Sequence, residues 1–258
     1  MMTASIFAQA PDFDLKNGTV KLNSGHEMPI LGIGTFQLSN SKAENSVYWA
    51  LKAGMRLIDT ARIYGNEEGV GRGIRRAIKD GICKREEIFV TTKMWTSDFS
   101  NGDAAVDASL KRLGLDYIDL MILHHSQPRN DVDAYKAMER AVKAGKLRSI
   151  GLSNYYETDD FDRLVKATSI KPALLQNETH PYHQSGKMKA HIAKYGTVME
   201  SWFRRMPSAC LPSFRFGKLV KFAIANDAPS GRQYCNPLQL QRKAHHRRCK
   251  RLGFFSHR

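Results

Sequence analysis

The stretch Met55-Arg56-Leu57-Ile58-Asp59-Thr60-Ala61-Arg62-Ile63-Tyr64-Gly65-Asn66-Glu67-Glu68 decides how the chain is read. Residues 56–60 have the length and composition of a short buried strand, and the strand ends in an acid. Tyr64 follows five residues later. Gly65-Asn66 is a turn signal, and Asn66-Glu67-Glu68 reads as the capped start of a helix with acids in its first turn. A carboxylate and a phenol are therefore presented together just past a strand end. A phenol, with a reference pKa of about 10, is a poor acid near neutral pH. To give a proton to a substrate it needs a nearby cation that lowers this value. The rest of the sequence has to supply that cation and a scaffold that brings it close.

The scaffold follows from the spacing of apolar residues. A small hairpin is predicted over 19–29, with Asn23-Ser24-Gly25 at its turn. Strands are then predicted at 30–36, 56–60, 87–93, 117–124, 147–152, 173–176 and 197–202. Helices are predicted at 41–53, 66–79, 103–113, 131–144, 158–167 and 185–195. The strands are apolar nearly throughout, which fits burial on both faces of a parallel sheet. The predicted fold class is α/β, a (β/α)8 TIM barrel with an N-terminal β-hairpin, incomplete in that seven strands are recognisable. Residues 1–17 read as a flexible tail, 18–203 as the barrel and 204–258 as an atypical basic tail. Within that tail, residues 218–225 look helical.

The net charge of +15 over 258 residues would by itself suggest nucleic acid or an anionic surface. The charge is not evenly spread. Residues 204–258 hold 13 Lys and Arg against one acid, Asp227, while residues 1–203 hold 27 basic and 24 acidic residues. Three of the four cysteines, Cys210, Cys235 and Cys249, also lie in the tail, leaving the barrel with Cys83 and no disulfide framework. No run of about 18 apolar residues supports a membrane span. The opening residues lack a basic leader, and their apolar part is too short for a secretory signal, so the expected location is cytoplasmic.

Several polar residues fall at the carboxyl ends of the predicted strands: Asp59, Lys93, His124, Ser153, Asn154 and Gln176. In a barrel these ends converge on one face, where the chemistry of such enzymes is found. Lys93 is then the required cation. Beside Tyr64 it would stabilise the phenolate, with Asp59 holding the ammonium and His124 orienting a carbonyl oxygen or sharing its proton. Taken singly, each of these residues has an ordinary structural role available to it. Four of the right chemical types around one mouth favour the catalytic reading. His125, beside His124, is read as no ligand, and no metal site is predicted.

These residues carry a family resemblance. Gly32-Ile33-Gly34-Thr35, Arg56-Leu57-Ile58-Asp59-Thr60-Ala61 with Tyr64-Gly65-Asn66-Glu67, and Phe89-Val90-Thr91-Thr92-Lys93-Met94-Trp95 resemble the aldo-keto reductase family. So do Leu113-Gly114-Leu115-Asp116-Tyr117-Ile118-Asp119-Leu120, Ser149-Ile150-Gly151-Leu152-Ser153-Asn154 and Glu178-Thr179-His180-Pro181-Tyr182. The resemblance covers about residues 19–203. It implies a barrel that binds NADP(H) without a Rossmann domain. Consistent with this, Gly69-Val70-Gly71-Arg72-Gly73 has the wrong spacing for a dinucleotide fingerprint and lies within a predicted helix.

By position, the resemblance makes Tyr64 the general acid, Lys93 its pKa-lowering partner, Asp59 the carboxylate paired with that lysine and His124 the residue that orients the substrate. It places Gly34, Thr35 and Asp59 at the cofactor, with Ser153, Asn154 and Gln176 on the nicotinamide carboxamide and Trp202 stacked on the ring. Phe36 and Trp95 become aromatic walls of a pocket for a small carbonyl substrate, in a monomeric enzyme. His125 stands where many relatives have tryptophan.

After Phe203 the resemblance ends. The family's usual final helix, last strand and Arg-x-x-x-Asn helix, which grips the adenosine 2′-phosphate, are absent. Motif, acids and strand pattern are lost at one point. The expected origin of residues 204–258 is a reading-frame shift or a splice-like change, with solvated coil as the result. Alternative readings are an inactive barrel that binds a nucleotide or protein partner, a poorly folded product, a weaker nucleic-acid arm, and a zinc site from Cys235, His245, His246 and Cys249, whose spacing matches no common arrangement. Translation of the coding DNA in the other two frames is expected to recover the family's ending; its absence from both frames counts against the frame-shift origin.

Overall fold

A computed structural model describes residues 12–179 and 183–202 in full and the backbone of 220–224. All of these fall within one compact unit, residues 1–225. The nucleic-acid and zinc readings of the tail, and His180 to Tyr182 of the last family motif, lie outside the described residues.

A three-stranded antiparallel sheet opens the chain: β1 (Asp12–Asp14), β2 (Thr19–Lys21) and β3 (Glu27–Pro29), in the order β1-β2-β3. The expected hairpin is present, extended by one strand. Asp12 to Asp14, assigned to the loose tail by sequence, pair with Thr19 to Lys21 instead. The Asp14 carboxylate accepts from the backbone N–H groups of Lys16 and Asn17 and so tightens the turn.

Seven parallel strands follow: β4 (Leu31–Gly34), β5 (Leu57–Asp59), β6 (Phe89–Met94), β7 (Ile118–Leu123), β8 (Leu147–Ser153), β9 (Leu174–Glu178) and β10 (Val198–Trp202). Helices α1 (Asn40–Lys52), α2 (Glu67–Lys79), α3 (Gly102–Leu113), α4 (Asp131–Lys143), α5 (Thr158–Ala167) and α6 (Gly186–Ala193) alternate with them. Each helix offers an apolar stripe to the outside of the barrel, such as Ala43, Val47, Ala50 and Leu51 on α1 and Val106 and Leu113 on α3.

An eighth strand, β11 (Val220–Ile224), closes the barrel between β10 and β4. It runs antiparallel to both neighbours, with Glu200 in register with Ile224 and Gly34 with Val220. The sequence reading found no eighth strand and assigned residues 218–225 to a helix; β11 corrects both points. Seven parallel strands leave two unpaired edges, and an extended segment satisfies both rows of backbone groups where a helix cannot. Among the described residues the ring therefore has seven parallel strands and one antiparallel.

Two apolar layers result. One lies between the barrel and its helices. The other fills the amino-terminal end of the barrel, where Val20, Leu22 and Met28 of the small sheet meet Leu57, Phe89, Leu120, Leu174 and Val198. The Asn23 amide donates to the Pro172 carbonyl at 3.0 Å, and the hydroxyls of Ser24 and Ser149 lie 2.7 Å apart, so the hairpin turn is tied across this end. The floor of the barrel is thereby plugged, and the opposite mouth is left for polar groups.

The glycines of α2 serve packing. A Cβ on Gly71 would meet the backbone carbonyl of Leu113 at the end of α3, and one on Gly69 the carbonyl of Asn40 at the start of α1. Gly71→Ala gains about 1 kcal/mol of helix propensity but forces two backbones apart, and overpacking of this kind costs about 1–3 kcal/mol or more. A net loss on the order of 1–2 kcal/mol is expected, measured as a lower urea midpoint at unchanged slope. Gly186, with nothing within 4 Å of an added Cβ, is the control: Gly186→Ala is expected to be neutral or slightly stabilising.

Candidate active site at the barrel mouth

Strand alternation builds the site. Successive side chains point to opposite faces, so the inward set that begins with Leu57, Phe89, Ile122, Leu174 and Val198 continues two or four residues later as Asp59, Lys93, His124, Gln176 and Glu200. The barrel interior therefore changes from apolar at the floor to polar at the mouth. All five of these polar residues are buried.

At the centre, Lys93 Nζ donates to Asp59 Oδ1 at 2.5 Å and to the Thr60 carbonyl at 2.9 Å. The same nitrogen lies 5.1 Å from the centroid of the Tyr64 ring. The three residues chosen from sequence are thus brought together. Burial works against the Lys93 ammonium, but the Asp59 carboxylate, the Tyr64 phenol and the direct hydrogen bond hold its pKa above the ordinary lysine value. Burial raises the Asp59 carboxyl above its usual range, and Lys93 and Gln176 offset only part of this.

For Tyr64 the sequence expectation needs correction. Lys93 does pull the phenol pKa down, but burial pushes it up by more, and the net direction is upward. With the site in this state the phenol keeps its proton. His124 is pushed down to about 2, first by burial and then by the charge of Lys93. Its imidazole is therefore neutral at ordinary pH, and its Nδ1 has no partner among the described residues.

An aromatic wall surrounds this cluster. Phe36 lies 5.1 Å from Tyr64 between ring centroids, and Trp95 5.0 Å from His124. His125 stacks on His124 at 5.2 Å with 9° between planes, and meets Trp95 edge-on at 5.4 Å. His125, set aside from sequence only as a ligand, belongs to the wall. Phe36 is 43 % exposed and sits at the rim.

The residues expected at a cofactor are placed unevenly. Ser153 and Gln176 are buried at the ends of β8 and β9. Asn154 adopts a left-handed φ of 58° and donates to the His124 carbonyl at 2.8 Å and to Ser153 Oγ at 3.1 Å. Trp202 is half-buried at the end of β10, in register with Glu178. Gly34 ends β4 in register with Asp59. Thr35, in contrast, turns its hydroxyl to the Asp59 carbonyl (3.1 Å) and to Asn66 Oδ1 (3.3 Å) and is fully buried. That side chain braces Asp59 from behind.

Two residues escaped the sequence reading. Asn66 occupies the N-cap position of α2 as expected, but its side chain makes no cap bond. Its amide instead donates to the carbonyls of Thr35 and Leu38 and accepts from Thr60, which ties the loop after β4 to the loop after β5. Glu200 is wholly buried, and Gln176 Nε2 donates to its Oε2 at 2.9 Å and to Asp59 Oδ2 at 2.9 Å. Burial, and after it the Asp59 carboxylate, push the Glu200 pKa up to about 8. The signal that could have found Glu200 was parity: Val198-x-Glu200-x-Trp202 repeats the spacing of Leu57-x-Asp59 and Leu174-x-Gln176.

A (β/α) barrel with an acid, a lysine, a tyrosine and a histidine converging at one mouth defines a class of catalytic barrel. The chain belongs to the aldo/keto reductase family, whose model matches residues 18–202. It is 38 % identical over 221 residues to the NAD(P)H-dependent D-xylose reductase I,II of Candida tropicalis, covering 75 % of this chain and 68 % of that one. It is 41 % identical over 187 residues to the glyoxal reductase of Bacillus subtilis (strain 168), covering 71 % and 66 %. Among solved structures, an aldo-keto reductase of Bombyx mori in complex with NADP superposes with a TM-score of 0.66 at 36 % identity, over 71 % of this chain and 65 % of that one. The chain spans about two thirds of the length of these relatives.

Among the described residues no helix is long and apolar enough to cross a membrane, and no group of three or more His, Cys, Asp and Glu could hold a metal ion.

Lys93→Met removes the cation and leaves Asp59 buried and unpaired. The expected loss is about 3–5 kcal/mol at pH 7. In this variant burial is opposed by the Gln176 hydrogen bond and no longer by a cation, so the folded pKa of Asp59 lies above the unfolded value. The penalty should therefore shrink as pH falls and the carboxyl takes up a proton. Urea melts of wild type and variant at pH 5 and pH 8 check this, with the smaller difference expected at pH 5.

Proposed function

We propose that this chain reduces an aldehyde or ketone to an alcohol by hydride transfer from NADP(H), with Tyr64 as the general acid. The observation that carries the reading is Lys93 Nζ, held by Asp59 and lying against the Tyr64 ring in a buried, aromatic-lined mouth. A nicotinamide carboxamide needs one donor and one acceptor. The Ser153 hydroxyl and the Gln176 side chain at neighbouring strand ends have that chemistry, and Trp202 can face the ring. When bound, the cofactor supplies the hydride.

The chain's own residues supply the rest. Neutral His124 can donate to or accept from a carbonyl oxygen without adding charge. Tyr64 holds its proton until negative charge develops on that oxygen. Lys93, fixed 2.5 Å from Asp59, then stabilises the phenolate left behind. Phe36, Trp95 and His125 keep water from the reacting carbon. Asp59 acts through Lys93 as a positioning residue.

Support for NADP(H) comes from the NADP complex of the Bombyx mori relative and the NAD(P)H dependence in the name of the yeast one. A cytoplasmic monomer completes the reading and rests on the sequence; the described fold reaches from Asp12 of β1 to Ile224 of β11, past the expected limits of 18 and 203. Because the family's ending is missing after Phe203, affinity for the 2′-phosphate, and with it activity, is expected to be impaired. NADPH oxidation with a small aldehyde, followed by absorbance, tests the whole reading. Tyr64→Phe is expected to abolish turnover, by about 10²–10⁴-fold, and to leave the NADPH Kd within about twofold. Equal turnover in that variant would refute the assignment.

A further inference from the structure

Among the described residues, Glu200 is the one buried carboxyl at the mouth that the proposed chemistry leaves unused. Among the described residues it has no cation of its own, since the charge of Lys93 is matched by Asp59, and Glu200 Oε1 has no hydrogen-bond partner. Its other oxygen accepts from Gln176 Nε2, and the same nitrogen donates to Asp59. A primary amide has two N–H groups, and here both are taken by carboxyl oxygens on either side. The amide carbonyl is the polar atom of Gln176 left for a ligand.

We propose that Glu200 is a positioning residue of this site: together with Asp59 it commits both N–H groups of Gln176 to the barrel interior, so that Gln176 meets a bound carboxamide with its oxygen. The inference rests on the nicotinamide reading above. It orders the subsite chemically: the Gln176 oxygen accepts from the carboxamide N–H, and the Ser153 hydroxyl, whose oxygen already accepts from Asn154, donates to the carboxamide oxygen. A buried carboxyl without a cation is held most cheaply as the neutral acid. With Oε2 receiving an N–H, the proton resides on Oε1. Loss of that proton adds one negative charge to the site and favours the oxidised nicotinamide, whose ring is positive, over the reduced one.

Among the described residues the charged and titratable groups around Glu200 are these. Asp59, Lys93 and Tyr64 face it across the barrel, and His124 and His125 stand at the mouth. On flanking elements, β9 carries Glu178, in register with Trp202 rather than Glu200, and β11 carries Lys221, in register with Ile33. On α6 stand Lys187, Lys189 and His191, the last paired with Asp162.

The test is the affinity of the full chain for NADPH and for NADP+, by fluorescence quenching at several pH values from 6.5 to 9.5, in wild type, Glu200→Gln and Glu200→Leu. Glutamine keeps an oxygen for the Gln176 N–H and cannot ionise. In wild type the ratio of the two affinities is expected to move toward NADP+ by about fivefold above pH 8. In Glu200→Gln the ratio is expected to stay flat, with NADPH affinity within about twofold of the pH 7 wild type. In Glu200→Leu one Gln176 N–H is released, the amide can turn, and NADPH affinity falls about tenfold.

A Glu200→Gln variant that keeps the wild-type pH dependence, or a folded Glu200→Leu variant that binds NADPH as tightly as wild type, overturns this inference and leaves the nicotinamide reading standing. If Glu200→Leu does not fold, the pH arm with Glu200→Gln decides. A wild-type chain that binds neither nucleotide overturns both.

Discussion

An ammonium group shut away from water must be neutralised where it stands, and most of this site follows from that requirement. Lys93 is about as buried as a leucine in the core, and the Asp59 carboxylate is its direct counter-charge. Such a pair need not add stability, since the desolvation of two ions can exceed their attraction. What it does is fix positions. The Asp59 backbone is gripped by Thr35, Thr35 and Thr60 are tied through Asn66, and Gln176 holds the second oxygen of Asp59. A lysine on β6, an acid on β5 and a glutamine on β9 are thereby locked into one geometry, with the Tyr64 ring against the ammonium.

The placement of this polar cluster depends on what lies below it. The small antiparallel sheet brings Val20, Leu22 and Met28 against the inward residues at the start of the strands, so water is excluded from the floor. The same inward faces then turn polar within two to four residues. A mouth shielded on one side by an apolar plug and walled by Phe36, Trp95, His124 and His125 is a place where charges act over short range in a weakly screening medium. Burial also explains why Tyr64 keeps its proton despite Lys93, and why His124 stays neutral. At Tyr64 the loss of hydration outweighs the neighbouring charge; at His124 the two act in the same direction, with burial the larger.

Much of this was legible beforehand because it rests on local patterns. The alternation of apolar strands and amphipathic helices is a property of residues close in sequence, and it located seven strands and six helices. Chemistry at strand ends was legible for the same reason: Asp59, Lys93, His124 and Gln176 each follow an apolar run. Glu200 obeys the same parity, but its role depends on Gln176 and Asp59, which reach it from two other strands. Asn66 does stand at the N-cap of α2, but its side chain is a loop tie, and the two roles share one local sequence signal. Which bond the side chain makes is set by Thr35 and Leu38, some thirty residues away. The segment after Phe203 gave the least, and its one described strand runs opposite to its neighbours.

By itself, then, the sequence determined the element order, the layered α/β architecture and the residue types at the mouth, since each is encoded within a window of about ten residues. The tertiary structure alone decided three things. Burial, and not Lys93, sets the direction of the Tyr64 pKa. Both N–H groups of Gln176 are spent on carboxyls from two other strands. The barrel is closed by an antiparallel strand. All three depend on groups far apart in the chain meeting in a space from which water is excluded, and no local pattern records how many neighbours a group will have or how much solvent it will lose.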